Sequence, residues 1–220
     1  MAEAPGEPID LFFSHFHYDH VMGLPFFPPL YAKGWPVRLW TSSLFGSGAI
    51  DLALDCLFSA PLCPVTRDLL LADISIHELP EQKTETLASD VTIRTERLLH
   101  PGGNAAYRVE HNGQAFVYSG DFEHGDPARD DALVAFLDGA DLALLDCTYT
   151  PDSYPACKGY GHAHWDAAGE IAARAGVAQW LGVHHEHTLG DALLFEAEAD
   201  LQNKYPSGGL ARKGMTFTIG

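Results

Sequence analysis

The chain has 220 residues, 46% of them hydrophobic and 11% aromatic, with 13 basic against 30 acidic side chains and a formal charge of −17. That apolar content excludes a disordered chain, and the length suits a single folded domain over 1–220. The charge excludes a basic stripe able to follow a nucleic-acid backbone, and no apolar run is long enough to cross a bilayer.

The first residues, Met1 to Pro8, are acidic rather than basic, which points away from a signal peptide or membrane anchor and toward a cytoplasmic protein. Ile9 to Ser14 then reads as a buried strand. Directly after it come His15, His17, Asp19 and His20, four metal-competent side chains within six positions. On extended chain, His15 and His17 point the same way and can hold one cation. Asp19 and His20 follow as the chain begins to turn, so they can address a second. A lone histidine is usually structural or exposed; this density at a strand end is a far more specific signal.

Val21 to Leu30 is apolar and proline-rich, as for a short helix and then a loop. Pro36 to Thr41 reads as a strand, Gly48 to Phe58 as a helix closed by Pro61 and Pro64, and Ile74 to Leu79 as a strand. Glu81 to Asp90 reads as a polar surface turn. Val91 to Leu99 forms a strand that stops at His100-Pro101-Gly102-Gly103, a sharp turn that exposes the imidazole. Asn112-Gly113 between Ala105–Glu110 and Gln114–Ser119 predicts a hairpin.

Asp121 ends that second strand; taken alone it is an ordinary turn aspartate. Glu123 and His124, just beyond it, read as groups behind or at the rim of a site. Helices are expected over Asp130–Leu137, His164–Ala175 (stopping near Gly176) and, amphipathically, Leu189–Tyr205. Strands are expected over Leu142–Leu145, Val177–Val183 and Met215–Ile219. The tandem His184-His185 closes the second of these, and spacing does not separate the two. Strands alternating with helices after a β-rich opening predict an α/β layered fold. The four cysteines show neither CxxC spacing nor scaffold density and read as reduced, structural thiols.

The words "SHFHYDHVMGLPFFPPLY" resemble the signature of the metallo-β-lactamase-fold hydrolases, in the branch of ribonuclease Z and small phosphodiesterases. "HPGGNAAYRVE", "YSGD" and "GYGHAHWDAAGEIAARAG" resemble further motifs of that branch, the last with Asp166 in place of glutamate. The resemblance implies an αββα sandwich. It implies His15, His17 and His100 at one metal and Asp19, His20 and His184 at a second, with His185 the runner-up for that last place. It makes Asp121 the bridge between the two ions. It assigns His162 to substrate phosphate and proton transfer, with Asp19 as the other catalytic residue.

An imidazole and carboxylate shell of this kind suits two Zn²⁺ ions, and Mn²⁺ or Fe²⁺ are compatible with it. The implied reaction is hydrolysis by a hydroxide held between two divalent metals, on a small or cyclic phosphodiester. A lactone or other ester hydrolase and a non-catalytic metal-binding module are the alternatives. The charge and the want of a basic arm argue against tRNA and for a small-molecule substrate. The metal motif begins closer to Met1 than in the branch, so the expectation is a form shortened at the N-terminus, or a homo-oligomer whose partner subunit covers the sheet edge.

Overall fold

The computed structural model describes residues 6–87 and 90–219. The chain divides into two compact units, Met1–Glu81 and Gln82–Gly220, and each contains its own hydrophobic cluster. No helix among the described residues is long and apolar enough to cross a membrane.

In the first unit, β1 (Ile9–Phe13), β2 (Pro36–Ser42) and β3 (Asp73–Leu79) pair in parallel in that order. Three short stretches follow β1: a single helical turn, α1 (Tyr18–Val21), and then two 3₁₀ turns, Leu24–Phe26 and Pro28–Tyr31. Pro25, Pro28 and Pro29 have no N–H to donate, so a longer helix is barred here. Side chains alternate across the sheet. Leu11, Phe13, Val37, Leu39, Ile74 and Ile76 join one core with Ile50, Leu54 and Phe58 from helix α2 (Ala49–Leu57) and its end. On the other face, Phe12, Trp40 and His77 stand in register and stack, with ring centroids 5.8 and 4.3 Å apart.

Among the described residues, the second unit is built on a seven-stranded mixed sheet of order β10-β9-β8-β7-β6-β5-β4. Its strands are β4 (Thr84–Thr86), β5 (Thr92–Leu98), β6 (Asn104–His111), β7 (Gln114–Tyr118), β8 (Leu142–Asp146), β9 (Gln179–Val183) and β10 (Gly208–Leu210). The helices are α3 (Pro127–Leu137), α4 (Tyr154–Cys157), α5 (Trp165–Arg174) and α6 (Asp191–Lys204). The hairpin forms as expected: Asn112 and Gly113 take φ of 51° and 79°, as a two-residue primed turn requires, and His111 pairs with Gln114.

Three expectations fail. Thr84–Thr86 is not a turn but an edge strand against β5, where backbone pairing needs no apolar side chains; residues 88 and 89 of the same stretch lie outside the described ones. No strand forms at Met215–Ile219. The last strand is Gly208–Leu210 instead, because a Cβ on Gly208 would lie 2.6 Å from the Trp180 ring, so only glycine lets β10 come this close to β9. Helix α6 is barely amphipathic: Leu201 is buried while Leu193 and Phe195 are exposed.

The topology matters most at one edge. Strands β7, β8 and β9 are mutually parallel, and β5 runs the same way, since it and β7 both lie antiparallel to β6. All four carboxyl ends therefore open on the same side of the sheet, where α/β folds place their ligands. His100, Asp121, Asp146 and His184 follow or close these four strands.

Candidate active site

In the first unit, the turn after β1 gathers the opening histidines. His15 is buried, and its Nδ1 lies 3.2 Å from the Ser14 hydroxyl. The His15 ring meets that of His17 edge-on at 4.5 Å and that of His20 at 4.2 Å. His17 is still extended (φ −63°, ψ 150°) and serves as N-cap of α1, so Asp19 and His20 ride on the helical turn. The Asp19 carboxylate stands 3.5 Å from His20 Nε2.

In the second unit, one carboxylate is ringed by imidazoles. Asp121 is 2% exposed, and its Oδ2 lies 3.9 Å from His100 Nε2, 3.8 Å from His162 Nδ1 and 3.7 Å from His184 Nε2. These gaps exceed a hydrogen bond. For the Nε2 atoms of His100 and His184 they still fit a cation shared with Asp121, because two donor atoms each about 2.1 Å from one ion lie at most about 4.2 Å apart. Ligand atoms of His100, Asp121 and His162 fall within 4.8 Å of one another, as do those of Asp146, His162 and His184.

Hydrogen bonds behind this ring assign each imidazole its tautomer. His100 Nδ1 donates to the Gly161 carbonyl at 2.8 Å, which turns its Nε2 lone pair toward Asp121. Thr148 Oγ1 donates to Asp146 Oδ1 at 2.7 Å and so accepts from His184 Nδ1 at 2.8 Å, which again leaves Nε2 as the donor atom facing Asp121. His162 differs, because its Nδ1 donates to Asp146 Oδ2 at 2.8 Å. The His162 ring stacks on His184, with centroids 4.9 Å and planes 14° apart.

Asp146 carries this arrangement. It is fully buried at the end of β8 and accepts from Phe122 N, Thr148 N, Thr148 Oγ1 and His162 Nδ1. Four donors satisfy a carboxylate that burial would otherwise penalise. Neither Asp146 nor Thr148 stands out in the sequence. The available signal is an aspartate ending an apolar strand, as Asp121 does after "FVYSG".

The structure separates the tandem histidines. His184 takes φ +61°, a left-handed conformation rare outside glycine, and its ring enters the Asp121 cluster. His185 instead borders a cavity of about 410 Å³ with Leu194, Phe195 and Leu210. His164 has a structural role, as N-cap of α5 accepting from Ala167 N. Burial, then the neighbouring His164, pushes the His124 pKa down to about 4.

A family model described as the beta-lactamase superfamily domain matches residues 2–185. No curated protein matches the sequence. Among solved structures, the short form of human tRNase Z is similar at 18% identity and a TM-score of 0.69, over 96% of this chain and 79% of that one. A diphosphatase of the PhnP family is similar at 18% identity and a TM-score of 0.62, over 97% and 73%. Zn²⁺-bound PqqB from Methylobacterium extorquens is similar at 15% identity and a TM-score of 0.68, over 98% and 77%.

Proposed function

We propose, from the premise that this chain belongs to the beta-lactamase superfamily, that it is a dinuclear metal hydrolase acting on a small phosphodiester. The superfamily consists mostly of metal-dependent hydrolases, and the clustered histidine and aspartate side chains are the donor set such enzymes use. The family's motifs assign His15, His17 and His100 to one ion, Asp19, His20 and His184 to the other, and Asp121 to both. Zinc is the metal proposed, on the imidazole-rich shell and on the similarity to a Zn²⁺-bound fold. When bound, the ions supply Lewis acidity and a water acidic enough to act as a nucleophile near neutral pH.

The chain's own residues do the rest. His100 and His184 present Nε2 because Gly161 and Thr148 engage their Nδ1 atoms. His162, held through Nδ1 by Asp146, is the proton donor to the departing oxygen. The buried Asp146 carboxylate keeps the ring's orientation constant as the proton moves. This Asp146–His162 pair beside Asp121 is the observation that carries the proposal, because it sets a carboxylate-held imidazole next to the metal donor set, where it can pass a proton.

Phosphodiester is preferred over other esters because the similar folds include a tRNase and a diphosphatase. The substrate is taken to be small because a chain of formal charge −17 repels a long polyanion. Elemental analysis of purified protein, paired with turnover of bis(p-nitrophenyl) phosphate and of acyl-lactones, tests the reading. The expected result is two equivalents of zinc and cleavage of the phosphodiester. Cleavage of lactones alone would reassign the substrate, and a zinc-loaded protein inert to both would make it a binding module.

A further inference from the structure

We propose that Glu123 is a positioning residue that sets His100 and His162 together through the loop Gly159–Gly161. The inference rests on reading His100 as a metal ligand and His162 as the proton donor.

Glu123 follows Asp121 by two residues and is 8% exposed. Both oxygens of its carboxylate hold the loop. Oε1 accepts from Gly159 N at 2.6 Å and from the Tyr154 hydroxyl at 3.0 Å, and Oε2 accepts from Gly161 N at 2.9 Å. Its backbone N–H donates to the Leu99 carbonyl at 2.7 Å, which ties it to the residue before His100. Gly161 in turn offers its carbonyl to His100 Nδ1, and the next residue is His162. One carboxylate thus fixes both the acceptor that sets the His100 tautomer and the backbone from which His162 reaches Asp146.

Side-chain packing does not hold this loop. Lys158, Gly159 and Tyr160 are all exposed, so hydrophobic burial contributes little to placing them. Charge-assisted bonds to a buried carboxylate are strong enough to do so. The seat is also tight: Gly161 sits at φ +92°, and a Cβ there would lie 2.2 Å from Pro101 Cδ and 2.5 Å from His100 Nδ1. A loop released from Glu123 therefore carries the Gly161 carbonyl away from His100.

Glu123→Gln tests this, because its NH₂ would face a backbone N–H in place of an acceptor. In metal-free wild-type protein, ¹⁵N NMR should show a slowly exchanging His100 Nδ1–H and protected amides at Gly159 and Gly161. In Glu123→Gln these signals should be lost, and zinc affinity measured by chelator competition should fall roughly 10–100-fold. Glu123→Asp, which keeps the charge at shorter reach, should recover part of that loss. A Glu123→Gln protein that merely melts earlier, with the His100 proton and zinc affinity unchanged, would overturn the inference. If that variant does not fold, wild-type exchange decides: Gly159 and Gly161 amides exchanging as fast as an open loop would sink it. Wild-type protein that binds no zinc at all would refute the metal reading, while the His100 proton would still report on the clamp.

Discussion

At the scale of single residues, the site is a matter of which nitrogen each imidazole turns inward. His100 and His184 turn Nε2 toward Asp121 because Gly161 and Thr148 take their Nδ1 atoms, whereas Asp146 takes that of His162. Asp146→Asn would present an amide to groups that need an acceptor, and would release the His162 tautomer. Activity should fall by roughly 10²- to 10⁴-fold with zinc content unchanged, which elemental analysis alongside kinetics checks. Asp121→Ala removes the carboxylate the three imidazoles share, and should lose both metals and turnover while circular dichroism still reports a folded chain. Retained turnover would refute its bridging role.

His124 makes a different prediction. Its pKa is pushed down to about 4, chiefly by burial. The unfolded chain binds that proton near the ordinary value of about 6.5, so between those limits acid favours unfolding. Stability should fall as pH drops from about 6.5 toward 4. In metal-free protein, the urea midpoint of His124→Gln should depend less steeply on pH across that window.

At the scale of elements, the site depends on four strands that end together. Their carboxyl ends carry His100, Asp121, Asp146 and His184, and the loop before α5 adds His162. That loop approaches β5 only because Gly161 has no side chain. Gly161→Ala should cost about 1–3 kcal/mol of stability through the positive φ alone, with a further cost from the clash. It should also weaken zinc binding, because the Cβ would push His100 off its seat; calorimetry and chelator competition measure the two effects separately. A second close approach, Tyr205 against Gly169 in α5, lets the end of α6 pack on that helix, with the Tyr205 hydroxyl donating to the Asp166 carbonyl at 3.1 Å.

At the scale of the whole molecule, charge governs how substrate arrives. With a formal charge of −17, an anionic phosphodiester approaches against the protein's own field. Added salt screens that repulsion over about 10 Å at 0.1 M, so kcat/KM for an anionic substrate should rise with ionic strength and that for a neutral ester should not. An anionic substrate that lost kcat/KM on adding salt would point to a local cationic entrance dominating the net charge.

Residues close in sequence were legible without a structure. His15, His17, Asp19 and His20 follow one strand, and strand geometry plus a turn places them together; the Asn112-Gly113 hairpin was equally plain, since its turn chemistry is local. What lies far apart was not. Asp146 carried no signal of its own, Glu123 read only as a group behind or at the rim of a site, and His185 as the runner-up to His184. Spacing along the chain does not say which strand ends adjoin, and only long-range pairing of β5, β7, β8 and β9 decides that. The left-handed turn at His184 and the acceptors that Asp146 and Glu123 supply exist only once those strands have paired, because a buried carboxylate is tolerated where folded neighbours can hydrogen-bond to it.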